Sequence, residues 1–242
     1  MGILYIVSTP IGNLQDITIR AIKALFEADV IACEDTRRAG ILLEQMSGLY
    51  NNLTQNDNGK KHKPKLLSYY DQIEFRRIPE IVSLLQSEQK VALISDAGTP
   101  AISDPGFKLI RECIKMGVKI EVVPGASSVT TALTASGLPT DKFIFLGYPP
   151  HKSGHRRTFF ENTKKSQEFI KSTIIFFVAP HKLIRNLEEV KEIFGDIEIV
   201  LCRELTKIHE EIRREKISQA ILHFQKTAPK GEFVLLFNLQ EQ

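Results

Sequence analysis

Short apolar runs alternate with helix-patterned segments through the first half of this chain, and this alternation limits the folds open to it. The runs are residues 3–7, 30–33, 66–69, 91–94 and 119–123. Between them, apolar residues recur at helical spacing, for example at Ile78, Ile81, Val82 and Leu85. Because a short unbroken apolar run is typical of a strand buried on both faces, the pattern predicts a five-stranded, parallel, doubly wound α/β domain over residues 1–123.

The second half of the chain has a different pattern. Apolar runs at residues 143–146, 174–178, 197–201 and 233–237 predict strands, and residues 210–214 fit either an edge strand or a turn. We therefore expect residues 124–242 to form a smaller α+β domain with a mixed sheet. Residues 47–65 are rich in Asn, Gln, Gly and Lys, which favours a mobile surface loop.

Composition and motif searches exclude several classes of protein. Hydrophobic residues make up 43% of the chain and charged residues 25%, as in globular proteins, and a net charge of +3 does not identify a nucleic-acid binder. Dinucleotide-binding, P-loop, HExxH and GxSxG motifs are absent from the sequence. No apolar segment approaches the roughly 20 residues of a membrane span.

The cysteines and histidines predict neither a disulfide framework nor a metal site. Cys33, Cys113 and Cys202 lie far apart and lack CxxC spacing, and the histidines show no metal-ligand spacing. This usage suits a reducing cytosol, so we expect a cytoplasmic protein without a metal.

Four of the strands predicted in the first half end in loops rich in Gly, Pro, Ser, Thr or Asp. The longest loop, residues 95–105, contains Asp96, Gly98 and Pro100, and is followed by a predicted helix with Asp104 as its N-cap and Pro105 in its first position. Such loops are often rich in Gly and Pro without binding anything, but four at one sheet edge favour a ligand site. The charged residues 34–38 fit either a helix cap or a substrate contact.

Several of these segments together resemble one family. They are residues 9–14 (TPIGNL), 33–37 (CEDTR), 95–100 (SDAGTP), 102–106 (ISDPG) and 203–207 (RELTK). They are similar, in the same order, to the ribosomal RNA small-subunit cytidine 2′-O-methyltransferases, a branch of the tetrapyrrole methylase superfamily. One departure is the segment before Pro180, which lacks the usual Tyr-Glu pair.

The resemblance implies a tetrapyrrole methylase-like fold, a homodimer, and S-adenosylmethionine held folded in a cleft between the two domains. It also implies 2′-O-ribose methylation of a cytidine in small-subunit (16S) ribosomal RNA. Carried over by motif, the expected donor-binding residues are Pro10, Asp96, Gly98, Thr99, Ile102, Ser127, Ser128, Val178, Ala179, Arg203, Gly231 and Phe233.

Methyl transfer to a ribose hydroxyl needs alignment, together with a base or a cation that eases loss of the proton. The candidates for this catalytic role are Glu34, Asp35, Lys152, Glu204 and Lys207, each of which also fits a cap or a surface ion pair.

Positive charge beside the predicted strand 143–146 suggests where RNA would bind. Lys152, Arg156 and Arg157 lie in a basic segment there and are the expected phosphate contacts, with Lys60–Lys65 the next candidates. This segment favours RNA over a small porphyrin-like substrate, which remains the alternative for a methyltransferase of this fold. A third hypothesis is a non-catalytic RNA-binding factor, which would not need a donor pocket.

Overall fold

The computed structural model of the chain describes residues 1–54 and 63–240. The chain divides into two compact units, Met1–Ser127 and Ser128–Gln242. The boundary expected from the sequence, between residues 123 and 124, stays a prediction. Within the described residues, no helix is both long enough and apolar enough to cross a bilayer.

The first unit contains a parallel sheet of five strands. They are β1 (Ile3–Val7), β2 (Val30–Cys33), β3 (Lys65–Ser68), β4 (Lys90–Leu93) and β5 (Lys119–Val123). Their order is β3-β2-β4-β1-β5, and every neighbouring pair is parallel. The doubly wound parallel sheet predicted from the apolar runs is thus confirmed.

Helices cover both faces of this sheet, which explains why its strands read as unbroken apolar runs. They are α1 (Ile19–Glu27), α2 (Thr36–Thr54), α3 (Glu74–Gln86) and α4 (Phe107–Lys115). Leu25 of α1 and Leu43 of α2 belong to one core cluster, whereas Leu85 of α3 and Leu109 of α4 belong to the other.

The two layers of helices place a topological switch at β4. The helices that follow β1 and β2 cover one face, and the helices that follow β3 and β4 cover the other. Because β4 lies between β1 and β2, its loop leaves toward the face opposite to theirs. A crevice at such a point is where open α/β sheets bind ligands.

Two local predictions from the sequence are wrong. Helix α2 continues to Thr54, although a loop was expected from residue 47. The polar segment stays helical because it packs on its neighbour: the ring of Tyr50 stacks on that of Phe26 in α1, with ring centroids 4.6 Å apart. Residues 55–62 of the expected loop, among them Lys60 and Lys61, lie outside the described residues.

The second wrong prediction concerns the start of α4. It begins at Phe107 with Gly106 as its N-cap, rather than with Asp104 as cap and Pro105 in the first position. Gly106 has a φ of 141° and offers no side chain to cap the helix. Its amide instead donates to Glu74 Oε1 at 3.2 Å. A tertiary contact therefore sets this helix start.

The second unit is built on a mixed five-stranded sheet, as predicted. Its strands are β6 (Phe143–Phe145), β7 (Thr173–Val178), β8 (Glu198–Arg203), β9 (Glu211–Lys216) and β10 (Phe233–Phe237). In the order β6-β7-β10-β8-β9, only the pair β6–β7 is parallel. The open choice for residues 210–214 is settled as the edge strand β9.

Helices complete the second unit. They are α5 (Ser128–Ser136), α6 (Ser153–Phe169), α7 (Leu183–Phe194) and α8 (Ile217–Lys226). The last three contribute Phe160, Leu187 and Phe224 to a single core cluster with the central strands. Strand β10 is buried along its whole length, which makes it the centre of this unit.

Candidate functional site

The loops that follow β1 and β4 are joined by backbone hydrogen bonds. Thr9 and Gly98 exchange two of them, with N···O distances of 2.9 and 3.1 Å, and Thr9 Oγ1 donates to the Ser95 carbonyl at 3.3 Å. Gly98 has a φ of 83°, which favours glycine, and a Cβ there would lie 3.3 Å from Ile11 Cγ2. The β4 loop is therefore held closely against the β1 loop.

The loop after β5 joins the same cluster through side-chain hydroxyls. Thr99 Oγ1 donates to the Ala126 carbonyl at 3.2 Å and lies 3.0 Å from Ser8 Oγ. Since the Thr99 proton is used, Ser8 donates to Thr99. Gly125 packs against Ser8 so closely that a Cβ would come within 2.9 Å of the Ser8 Cβ.

The loop after β2 is connected through Asp96. The Asp96 amide donates to Glu34 Oε1 at 3.3 Å, and the Asp35 amide donates to Asp96 Oδ1 at 3.2 Å. Arg38 pairs with the other carboxylate oxygen of Asp96 at 3.1 Å. All four predicted loops thus meet at one edge of the sheet: Asp96 contacts Glu34 and Asp35. Gly98 and Thr99 contact the loops after β1 and β5.

Beyond Thr99 the β4 loop follows an unusual backbone path. Ala101 and Ser103 have φ values of 67° and 63°, which side chains other than glycine rarely adopt. Between them, Ile102 leaves 48% of its surface exposed although it is apolar. The loop therefore leaves this apolar side chain open to solvent instead of burying it in the core.

Glu74, at the start of α3, anchors the far end of this loop. Only 3% exposed, it accepts from Tyr69 Oη at 2.7 Å and from the Gly106 amide at 3.2 Å, and it pairs with Lys108 at 2.8 Å. Burial opposes its charge, but these three partners outweigh burial and lower its pKa. Sequence reasoning missed Glu74, because nothing local distinguishes it from other acidic residues in a first helical turn.

Glu34 and Asp35 are adjacent carboxylates whose pKa values are shifted in opposite directions. Burial, together with the nearby carboxylates of Asp104, Asp96 and Asp71, raises the pKa of Glu34 to about 7 despite the hydrogen bond from the Asp96 amide. Hydrogen bonds from the Arg37 side chain and amide hold the pKa of Asp35 far below its usual range. Glu34 is therefore the residue of the two that can exchange a proton near neutral pH.

In the second unit, three of the predicted donor-binding residues form one row across the sheet. Phe233 of β10 lies opposite Val178 of β7 and Arg203 of β8. The side chains of Val178 and Phe233 belong to the core, so only their backbone can contact a ligand. Ala179 and Gly231 flank this row, and Arg203 Nε donates to the Lys230 carbonyl at 2.7 Å.

Glu204 and Lys207 bind each other and the segment before β10. Glu204 Oε1 accepts from the Glu232 amide at 2.9 Å and from Lys207 Nζ at 3.0 Å, and its own amide donates to the Glu232 carbonyl at 3.0 Å. Burial would raise the pKa of Glu204, but these partners lower it, which makes it a weak base.

Gly231 has a φ of 92° and packs directly on this carboxylate. A Cβ there would lie 2.6 to 2.7 Å from Glu204 side-chain atoms. The contacts fit Glu204 and Lys207 for holding the loop before β10, and a catalytic role for either residue stays a prediction.

The structure corrects one of the predicted phosphate contacts. Arg156 lies in helix α6 and is 2% exposed. Its guanidinium forms a bidentate pair with Glu189, with Nε 2.7 Å from Oε2, and donates to the carbonyls of Pro150 and His151. Because these bonds occupy the buried group, Arg156 is not available to a phosphate. Exposed Arg157 pairs with Glu161 and Glu192, and Lys152 is exposed before α6.

Comparisons with known proteins identify the family. The family model of tetrapyrrole (corrin/porphyrin) methylases matches residues 3–221. Two similar relatives are each called ribosomal RNA small subunit methyltransferase I. The one from Thermotoga maritima is 44% identical over 100% of both chains, and the one from Hydrogenobaculum sp. is 45% identical over 97% of this chain and 95% of its own.

Solved structures show the same fold at low sequence identity. Diphthine synthase matches 98% of this chain and 90% of its own with a TM-score of 0.72 and 17% identity. The cobalt precorrin-4 methyltransferase CbiF matches 97% and 94% with a TM-score of 0.66 and 20% identity. The uroporphyrin-III C-methyl transferase from Thermus thermophilus, solved with S-adenyl homocysteine, matches 97% of both chains with a TM-score of 0.63 and 17% identity.

The matched residues extend through both units and include the loops that meet at the edge of the first sheet. The chain therefore belongs to the tetrapyrrole methylase family of methyltransferases, in the branch of the small-subunit ribosomal RNA methyltransferases.

Proposed function

We propose that this protein transfers a methyl group from S-adenosylmethionine to the ribose 2′-hydroxyl of a cytidine in small-subunit (16S) ribosomal RNA. The observation that supports this most strongly is the end-to-end similarity, at 44% identity, to a relative named for methylation of that RNA. A porphyrin-like substrate is supported only by the family description and by structures at or below 20% identity, and such a likeness concerns the fold alone.

The donor would be held by the residues predicted for it. In the first unit these are Pro10, Asp96, Gly98, Thr99, Ile102 and Ser127, and in the second Ser128, Val178, Ala179, Arg203, Gly231 and Phe233. The residues present fit such a ligand: exposed Ile102 offers an apolar surface for an adenine ring, and the fixed carboxylate of Asp96 offers acceptors for hydroxyl or amine groups. When bound, S-adenosylmethionine supplies an electrophilic methyl group.

Glu34 is the proposed general base. A ribose hydroxyl is weakly acidic, so its attack is favoured by a base that accepts the proton as the new bond forms. A pKa of about 7 lets Glu34 exist as a carboxylate at neutral pH and still accept a proton. Asp35 and Asp96 hold the Glu34 loop in place, since Asp35 donates its amide to Asp96 and Asp96 donates its amide to Glu34.

The remaining parts of the proposal concern partners and location. Lys152 and Arg157 stay candidate contacts for RNA phosphates, because both are exposed. A second copy of the chain completes the proposed homodimer, and the ribosomal substrate puts the protein in the cytoplasm.

The deciding experiment maps ribose methylation. Purified protein is incubated with labelled S-adenosylmethionine and either small-subunit particles or free 16S RNA from a strain that lacks the protein, and the product is read by nuclease digestion and mass spectrometry. We expect one 2′-O-methylcytidine. Transfer to a porphyrinogen but to neither RNA substrate would establish the alternative instead.

A further inference from the structure

A groove outside the site described above lies beyond the carboxyl end of β3. It has a volume of about 550 Å³ and is lined by Ser68, Tyr70, Ile73, Arg76, Arg77 and Glu80. Three of these residues, Arg76, Arg77 and Glu80, lie in the first turns of α3, Ile73 is the N-cap of that helix, and Ser68 ends the strand. A cavity of this size is large enough for a nucleotide, since small-molecule sites span roughly 300–1,000 Å³.

The lining combines free positive charge with an aromatic ring. Arg76 is exposed, and its guanidinium has no hydrogen-bond or ion-pair partner within residues 1–54 and 63–240. Arg77 pairs with Glu80 at 2.6 Å, so the three charged groups leave one net positive charge. Tyr70 is 38% exposed, and partly buried Ile73 adds an apolar surface beside it.

A second pair of this kind lies between α3 and the neighbouring helix α4. Phe75 is 74% exposed, and the Lys108 ammonium lies 4.2 Å from the centre of its ring. Proteins bind single-stranded nucleic acids on surfaces that combine aromatic rings with cations, because bases stack on the rings while phosphates pair with the charges.

Hydrogen bonds connect the elements that line the groove to the candidate site. Strand β3 lies beside β2, and the Tyr69 amide donates to the Cys33 carbonyl at 2.8 Å, one residue before Glu34. Glu74, between Ile73 and Arg76 in the chain, binds the β4 loop through Gly106. A strand of RNA in the groove would therefore lie at the sheet edge where the proposed base is held.

We propose that this groove binds one nucleotide of the single-stranded RNA that flanks the methylated position. Arg76 pairs with its phosphate and Tyr70 stacks on its base. The inference rests on the proposed function only in that the substrate is RNA. Free mononucleotides share this chemistry, and the test therefore includes them.

The test measures binding of a fluorescent single-stranded RNA oligonucleotide to the full chain by anisotropy over a range of salt concentrations. Arg76→Glu and Tyr70→Ala are compared with wild type, Tyr70→Phe and Lys23→Glu. Tyr70→Phe keeps the ring. Lys23→Glu is the charge control. It makes the same change of charge as Arg76→Glu, but it lies on α1, which covers the opposite face of the sheet. Melting temperature and S-adenosylmethionine affinity confirm that each variant is folded.

We expect Arg76→Glu to weaken RNA binding about tenfold or more and to lower the salt slope by roughly 0.7, the value for one phosphate contact on a single strand. Tyr70→Ala should weaken binding about tenfold, within the range of a lost stacking contact. Tyr70→Phe and Lys23→Glu should bind as wild type does, and cytidine monophosphate should compete only weakly.

Unchanged RNA affinity and salt slope in both Arg76→Glu and Tyr70→Ala would overturn the proposal, as would wild-type protein that binds no RNA. Tight binding of cytidine monophosphate that depends on Arg76, with no such dependence for RNA, would also overturn it. RNA binding that depends on Arg76 and Tyr70 supports the groove even where no methyl transfer is detected, and that last result would count against the proposed function alone.

Discussion

At the scale of single residues, Glu34 is the group on which the proposed chemistry depends. Replacing it by Gln keeps the shape but removes the base, and general bases typically contribute 10²–10⁴-fold to rate. We expect Glu34→Gln to lower kcat by about that factor while S-adenosylmethionine affinity, measured by calorimetry, stays the same. A variant with full activity would remove Glu34 from the mechanism.

The pH profile provides an independent check on Glu34. Because only its carboxylate accepts a proton, kcat/KM of the wild type should rise with pH and level off above about 7. The Asp104 carboxylate helps to raise this pKa, so Asp104→Asn should move the rising limb to lower pH. An unmoved limb would assign the titration to another group.

The raised pKa of Glu34 also makes the stability of the fold depend on pH. Folding raises the pKa of Glu34 from 4.5 to about 7, so its contribution is most favourable at low pH and is lost as pH rises through that interval. Denaturant unfolding should therefore show Glu34→Gln gaining stability relative to wild type between pH 4.5 and 7.

Gly231 and Gly48 form a matched pair for backbone effects. Ala at Gly231 would have to adopt a φ of 92° and would collide with Glu204, whereas Gly48 lies in helix α2 with nothing within 4 Å of an added Cβ. We expect Gly231→Ala to cost at least about 1–3 kcal/mol of unfolding free energy, and Gly48→Ala to add roughly 0.5–1 kcal/mol. Equal effects in chemical denaturation would contradict the tight packing on Glu204.

At the scale of elements, Glu74 couples helix α3 to the loop between β4 and α4. Glu74→Gln keeps the oxygen that accepts from Tyr69 and Gly106, but it removes the charge that pairs with Lys108 and places an NH2 donor beside that ammonium. We expect a loss of about 1–3 kcal/mol in unfolding free energy and weaker S-adenosylmethionine binding, because the loop loses the charged part of its anchor. Glu112→Gln is the control: this partly exposed residue of α4 pairs with Lys115, and its replacement should cost at most about 0.5 kcal/mol.

The pairing of α6 with α7 depends on Arg156 and Glu189. Removing one member of a buried ion pair leaves the other uncompensated, which typically costs about 3–5 kcal/mol. We expect a loss toward the lower end of that range for Arg156→Ala, because Glu189 is 17% exposed and keeps Arg185 Nε 3.8 Å away. The exposed Arg157→Ala should cost about 0–1 kcal/mol. Should Arg156→Ala be as stable as wild type and lose RNA binding, the residue would return to the candidate phosphate contacts.

At the scale of the whole molecule, the proposed homodimer predicts a particle of twice the 27.4 kDa chain mass. Two-fold dimers are the commonest closed assemblies, and family resemblance favours one here. Light scattering at micromolar concentration measures the mass directly, and a value of one chain would refute the dimer.

The sequence by itself determined the elements and the fold class of this protein. Alternation of apolar runs predicted the parallel sheet, and the loops at the strand ends located Asp96, Gly98 and Thr99. These features depend on neighbours in the chain, such as strand burial and turn residues, so local patterns reveal them. Motif resemblance added the family, which the full-length relatives confirmed.

Only the tertiary structure decided which of these residues meet and what each contacts. Asp35 binds Asp96, 61 residues away, and Glu189, the partner of buried Arg156, lies 33 residues along the chain. The helical end of α2, the start of α4 and the anchor at Glu74 also depend on neighbours distant in sequence. The sequence does not distinguish a solvated charged residue from one that is buried against a partner, because only the packing around the side chain differs.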